Sequence, residues 1–147
     1  MPPDRVGDFA AIRRATRVPV ATGEHEYTRW GFLELLKADA VDLVQADPDW
    51  CGGISELVKI CTLASAYGKP VFPHGHSIYP ALHVIAAQSP AVCPMAEFLV
   101  RPQVAKQALH ANQAWPEGGS IALPDGPGLG VVLDEARIDT RRAMSCS

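Results

Sequence analysis

Four short apolar runs constrain this chain most: VPVAT (18–22), VDLVQAD (41–47), KPVFPHG (69–75) and CPMAEFLV (93–100). Each has the length of a strand and is nearly continuous in apolar or β-branched residues, as expected of strands covered on both faces. Between them the apolar spacing turns helical. DFAAIRRAT (8–16) precedes the first run, and RWGFLELLKADA (29–40) repeats Phe32, Leu35 and Leu36 at three and four. In ISELVKICTLASAYG (54–68), Ser55 offers a cap and Gly68 a stop. IYPALHVIAAQSP (78–90) is a further, shorter helix stopped by Pro90. Helix and strand alternating in this way predict an α/β fold with a parallel sheet and right-handed crossovers.

The alternation ends near Arg101. Gly and Pro accumulate in WPEGGSIALPDGPGLGVVLDE (115–135), which reads as extended arms and turns rather than another βα unit. The expected organisation is therefore a barrel-type region over 1–100 and a C-terminal arm over 101–147. A chain of 147 residues is long enough for one domain with a real core. Its net charge of −3 leaves no basic stripe, so no nucleic-acid partner is expected. The longest apolar stretches fall well short of the roughly 20 residues that span a bilayer, so no membrane partner is expected either. No charged start followed by an apolar run and a small-residue cleavage site is read at the N-terminus. Cys51, Cys61, Cys93 and Cys146 form no C-x-x-C pair. Buried, reduced thiols are the expectation, and a reducing cytoplasm fits them.

Every strand run ends in an ionisable residue: Glu24, Asp47, His74 and Glu97. The intervals are 47 − 24 = 23, 74 − 47 = 27 and 97 − 74 = 23, one βα unit each. Side chains at the C-terminal ends of successive parallel strands converge, and in a β/α barrel that end carries the active site. An open doubly wound sheet usually brings a Gly-rich phosphate loop. No G-x-G-x-x-G follows the first strands, so the barrel is preferred. Taken singly, an acidic residue at a strand end is more often a helix cap or a solvated loop residue; four acid–base or ligand-capable side chains in succession favour a shared site. Neighbouring strands lie about 4.8 Å apart, so Asp47 can hydrogen bond to His74 and raise its basicity. Glu24 is a hard oxygen ligand suited to Mg²⁺. Glu97, if protonated in a water-poor site, can donate to a developing oxyanion. That set suits proton abstraction next to a carboxylate.

ATGEHEYTRWGF, QADPDWCGGISEL, PVFPHGHS, CPMAEFLV and SIALPDGPGLGVVLDEARI resemble the enolase superfamily. Within it they are most similar to the mandelate racemase subgroup and its acid-sugar dehydratases, especially the L-rhamnonate dehydratase-like members. The resemblance runs from about Pro2 to Asp139. It implies a modified (β/α)7β TIM-type barrel, of which this chain would be the C-terminal half plus its irregular arm. By that similarity VPVATGE is the fifth barrel strand and Glu24 the third of three carboxylate ligands to Mg²⁺. Asp47 and His74 match the Asp–His dyad, with His74 the general base. Glu97 matches the glutamate that bonds the substrate carboxylate or its enolate, and His25 matches a residue near substrate hydroxyls. The implied reaction removes the proton α to the carboxylate of a sugar acid and expels the β-hydroxyl as water, giving a 2-keto-3-deoxy acid. A barrel of this type takes about 250 residues. The capping domain, the first four strands and the other two metal carboxylates have no counterpart here. MPPD resembles the segment just after the fourth strand, so a portion of a longer enzyme, with little activity alone, is expected.

Other readings stand beside this one. A racemase or epimerase of the same superfamily uses the same groups. His74 and His76 form an H-x-H pair that in other barrels binds Zn²⁺ for hydrolysis. A non-catalytic half-barrel, persisting by pairing its open edges with another chain, is a third, and self-association is expected from those edges. Trp50, in WCGG, either lines the substrate pocket or plugs the barrel mouth, with Gly52 and Gly53 permitting a tight turn. Arg29 and Arg101 are candidates to pair with a sugar acid. His83 reads as a satisfied core histidine, and His110 supports no role.

Overall fold

The structure, a computed structural model, describes residue 2 and residues 5–142. Cys146 and most of the MPPD opening lie outside the described residues. The elements follow the order α1 (Val6–Ala15), β1 (Ala21–Thr22), α2 (Thr28–Lys37), β2 (Leu43–Val44), α3 (Pro48–Cys51), α4 (Ile54–Ala66), α5 (Ile78–Ala87) and α6 (Val100–Lys106). A 3₁₀ turn, Glu135–Arg137, closes the described chain. Among these residues no helix is long and apolar enough to cross a membrane.

The sheet is parallel, as the alternation predicts. Ala21 lies beside Leu43 and Thr22 beside Val44, and Val44 in turn bridges Val71 in parallel. The amide of Val44 donates to the Pro70 carbonyl at 3.0 Å, that of Phe72 to Val44 at 2.9 Å, and that of His74 to Ala46 at 3.0 Å. Strand position therefore follows chain order, and the tips of the first three runs emerge side by side.

The fourth run behaves differently. Residues 93–99 join no ladder. One hydrogen bond, from the Val71 amide to the Val92 carbonyl at 2.7 Å, ties the turn before them to the third run. Pro94 has no N–H to contribute. Beyond it the backbones meet by direct contact: a Cβ placed on Gly75 would lie 2.3 Å from the Glu97 carbonyl oxygen. Only glycine lets the two runs approach so closely.

Helix ends follow local chemistry. At the end of α4, Gly68 adopts φ +66°, its amide donates to Ser65, and that of Lys69 donates to Ala64, both at 3.0 Å. That is the expected glycine stop, in its two-bond form. Asp39 ends α2 the same way at φ +50°, with Asp39 donating to Leu36 and Ala40 to Leu35. Ser55 is not the cap of α4: Gly53 stands at that position and no side chain caps it. The chain turns from α3 into α4 through Gly52 and Gly53, at φ +112° and +91°, so the turn leaves a hydroxyl at position 55 no capping role.

The core lies between the sheet and the inward faces of α2 and α4. Phe32, Val41, Val44, Leu57, Ile60 and Val71 are fully buried. Burying a side chain of this size stabilises by roughly 1.5–3 kcal/mol. A second, smaller cluster joins α5 to the arm through Ile78, Tyr79, Leu82 and Ala114, with Phe98, Ile121 and Leu129 against it. The arm region is also less irregular than expected, because it opens with α6.

One ion pair pins α2 to α4. The Arg29 amide and Nε donate to Glu56 Oε1 at 2.8 and 2.7 Å, and Nη2 donates to Oε2 at 3.0 Å. Arg29 is thus engaged with the fold. The side-chain and backbone hydrogen bonds from Arg29 hold the Glu56 carboxyl down to about 2, against an ordinary 4.5. A depressed carboxyl stabilises the fold fully above the unfolded value, and that stabilisation is lost as pH falls from about 4.5 through about 2. Glu56→Gln is expected to lower stability at neutral pH and to make acid unfolding shallower in that window, as circular dichroism against pH will show. Gly75→Ala is expected to cost about 1–3 kcal/mol in denaturant titration, through forced separation of the third and fourth runs.

Candidate active site

Each strand tip delivers its side chain by a specific local device. Leaving β1, the chain turns at Gly23, at φ +126°, where a Cβ would lie 2.7 Å from the Phe32 ring. That turn presents Glu24 and His25. Leaving β2, Asp47 becomes the N-cap of α3: its Oδ1 accepts from the Asp49 amide at 2.8 Å, with Pro48 in the first turn. The third run ends at His74, between Pro73 and the constricted Gly75.

His74 stands between two carboxylates. Its Nδ1 is 3.1 Å from Asp47 Oδ2 and its Nε2 is 2.8 Å from Glu24 Oε2. Asp47 is fully buried and the His74 side chain is 12% exposed, whereas Glu24 is 44% exposed. The buried Asp47 carboxylate has further support, since Oδ2 also faces the Ser77 amide at 3.4 Å. A neutral imidazole has one N–H, so it can donate to one of its two carboxylates; the protonated ring donates to both. Donation of Nδ1–H to Asp47 makes Nε2 the atom that can take up a proton.

The remaining tips close around this pair. The second oxygen of Glu24, Oε1, faces His25 Nε2 at 3.1 Å. Gln45 Nε2 donates to Glu97 Oε2 at 3.0 Å, which ties the fourth tip back to the second run. Trp50 lies edge-on to His25 at 5.9 Å between ring centroids and to Tyr27 at 6.4 Å, and it stands 6.3 Å from His76. Six of the residues picked from the sequence fall around the strand tips: Glu24, His25, Asp47 and His74 are linked directly, Trp50 borders them, and Glu97 is reached through Gln45.

A second Asp–His pair runs alongside the first. His76 Nδ1 is 3.0 Å from Asp49 Oδ2, and the His76 ring lies nearly parallel to that of His74, at 14° and 6.5 Å. Lys106 Nζ reaches the same Asp49 oxygen at 3.2 Å. Burial works to raise the Asp49 carboxyl, and the contacts with Ser77, Lys106 and His76 overcome it and hold the group below its ordinary range. Gln45, Asp49 and Lys106 were not singled out from the sequence. The period of two along a strand does put Gln45 on the same side as Asp47; Lys106, on α6, carries no sequence signal.

The fit of these residues to a divalent ion can be tested directly. Both Glu24 oxygens face imidazole nitrogens, and Mg²⁺ is ordinarily held by more than one oxygen ligand in near-octahedral geometry. Asp47, Asp49 and His76 do offer one ligand atom each within 4.8 Å of one another. However, Asp47 Oδ2 is engaged with His74 and Asp49 Oδ2 with Lys106, and an imidazole nitrogen is a poor Mg²⁺ ligand. The described residues do not by themselves form a Mg²⁺ site. Nor does the H-x-H pair converge on a metal position, since His74 does not belong to that ligand group and each His turns Nδ1 to its own Asp.

Comparison with known proteins follows the same lines. Residues 1–137 match the family described as enolase C-terminal domain-like. A relative from Saccharopolyspora erythraea, an L-rhamnonate dehydratase, is 40% identical over 150 aligned residues, which cover 95% of this chain and 37% of the relative. A mandelate racemase/muconate lactonizing enzyme-like protein from Roseovarius sp. TM1035 superposes with a TM-score of 0.80 at 35% identity, over 92% of this chain and 34% of the other. A mandelate racemase/muconate lactonizing enzyme from Sulfitobacter sp. superposes with a TM-score of 0.77 at 33% identity, again over 92% and 34%. The chain thus spans little more than a third of the length of these relatives. It belongs to the enolase C-terminal domain-like family, within the mandelate racemase subgroup of the enolase superfamily.

Proposed function

We propose that this chain carries the acid–base residues of a sugar-acid dehydratase of the L-rhamnonate type. The observation that carries the reading is His74 held between buried Asp47 and exposed Glu24. The similarity to an L-rhamnonate dehydratase supports the substrate class. In this reading Asp47 fixes the ring through Nδ1, and Nε2 takes the proton from the carbon next to the substrate carboxylate. Nε2 can do so only once Glu24 no longer faces it. The electron pair left on that carbon forms a double bond to its neighbour, and the C–O bond to the β-hydroxyl breaks. His74 returns the proton to that oxygen, which leaves as water, and the enol product tautomerises to a 2-keto-3-deoxy acid. Glu97, oriented by Gln45, acts on this reading in its acid form and donates its O–H to the substrate carboxylate where negative charge develops. His25 and Trp50 border the hydroxylated part of the sugar chain.

The carboxylates that would join Glu24 in holding a Mg²⁺ come, on this reading, from sequence outside this chain. The purified chain is therefore expected to show no turnover of L-rhamnonate with Mg²⁺. The same chain mixed with a separately produced piece of the Saccharopolyspora relative that supplies the rest of the barrel is expected to release keto acid, and His74→Asn to lower that rate by roughly 10²–10⁴-fold. Turnover by the chain alone overturns the incomplete site, and an inert but assembled mixture overturns the dehydratase. Exchange of the α-proton without loss of water favours the second reading, a racemase or epimerase, which the mandelate racemase-like neighbours support.

We further propose that the outer edge of β1 is a pairing surface. Ala21 and Thr22 pair with β2 on one side, and no described residue pairs with them on the other. Self-association by size-exclusion chromatography is expected for the chain alone, and a clean monomer contradicts it.

A further inference from the structure

Helix α4 and the turn after α5 meet at two thiols that the proposed chemistry does not use. Cys61 and Cys93 are 0% and 3% exposed, and their sulfurs lie 3.7 Å apart. They are 93 − 61 = 32 residues apart in sequence. Sulfurs already in contact need approach by only about 1.7 Å to reach bonding distance. The third described cysteine is not placed for this. The Cys51 sulfur faces the Gly53 carbonyl at 3.9 Å, and burial, then the charges of Asp47 and Glu56, push its thiol up to about 12.

We propose that Cys61 and Cys93 form a reversible disulfide site that links α4 to the segment leading to Glu97 when the chain meets a peroxide. Cys93 is the attacking sulfur, because the hydrogen bond from Cys61 holds it below the ordinary thiol range. The same hydrogen bond, with burial, holds the Cys61 thiol above that range. Cys93 sulfur attacks one peroxide oxygen, the O–O bond breaks, and the leaving oxygen departs as water with the thiol proton. The Cys93 sulfenic acid is then attacked by the Cys61 sulfur. The S–S bond forms, the S–O bond breaks, and the hydroxyl leaves as a second water with the Cys61 proton. Two electrons pass from the thiol pair to the peroxide, and an added dithiol reverses the change. The mechanical effect is local: residues 93–99 join no ladder, and the bond fastens their first residue to the buried face of α4.

The test uses the whole chain as it exists. It is treated with hydrogen peroxide, digested with trypsin without reduction, and weighed. Lys69 and Arg101 each precede proline, so both cysteines fall in one tryptic piece. That piece is expected to lose the mass of two hydrogen atoms, to regain it with dithiothreitol, and to yield a linked pair of peptides on chymotryptic cleavage. The oxidised chain is expected to melt a few degrees higher than the reduced one. Cys51→Ala is expected to leave both changes intact, whereas Cys61→Ala or Cys93→Ala removes them. Cys61 and Cys93 that stay open to alkylation after peroxide, or Cys93 that accumulates oxygen while Cys61 stays a thiol, overturns the proposal.

Discussion

The buried carboxylate of Asp47 is the constraint on which the strand-tip arrangement depends. A charge with no exposure is costly unless its oxygens find donors. Here the Asp49 amide, His74 and the Ser77 amide supply them. The first starts α3, the second fixes the ring of the candidate base, and the third ties the loop that leads into α5. Removing the carboxylate would therefore release a helix start, an imidazole and a loop together. A residue that reads from sequence as either a helix cap or a site acid caps α3 with one oxygen and faces the His74 ring with the other.

Glu24 contrasts with it. Its carboxylate is nearly half exposed, and its two oxygens face His74 and His25. Nothing in the fold requires a carboxylate there: the turn at Gly23 needs only glycine, because the Phe32 ring leaves no room for a Cβ. The pairing with His74 is therefore a contact of two site residues, made above the core. The same distinction separates Arg29 from the site. Its three hydrogen bonds to Glu56 join two helices, and this spends the guanidinium on the fold.

The helices and the order of the strands were legible because periodicity and glycine stops are local signals. Phe32, Leu35 and Leu36 bury as spaced, and Gly68 ends α4 as placed. The tips were legible because βα spacing converts sequence intervals into proximity, and Asp47 with His74 shows it. What was not legible depends on contacts between distant segments. The loss of a fourth ladder turns on the close pass of Gly75 against Glu97, which neither run announces alone. Asp39 ending a helix at positive φ looks like any surface acid until Lys69 and Arg13 are seen beside it. Lys106 reaches Asp49 of the second Asp–His pair only because α6, a helix with no sequence signal ahead of the Gly- and Pro-rich stretch, brings it there.

The division between what this chain holds and what it lacks follows from how each function is built. Orienting an imidazole takes two neighbouring strand tips, and successive βα units within this chain provide them. Holding a small, hard cation takes several oxygens converging from different directions, which a run of adjacent tips along one arc of a barrel does not supply. On the proposed reading, the acid–base pair is therefore set by the local sheet of this chain, and charge stabilisation waits on strands from across the barrel. Trp50, Tyr27 and His25 pack ring against ring just beyond the tip of β1. On the proposed reading, a stable Asp47–His74 pair therefore gives an oriented base without turnover, because the charge that base creates would be stabilised by groups on the opposite arc.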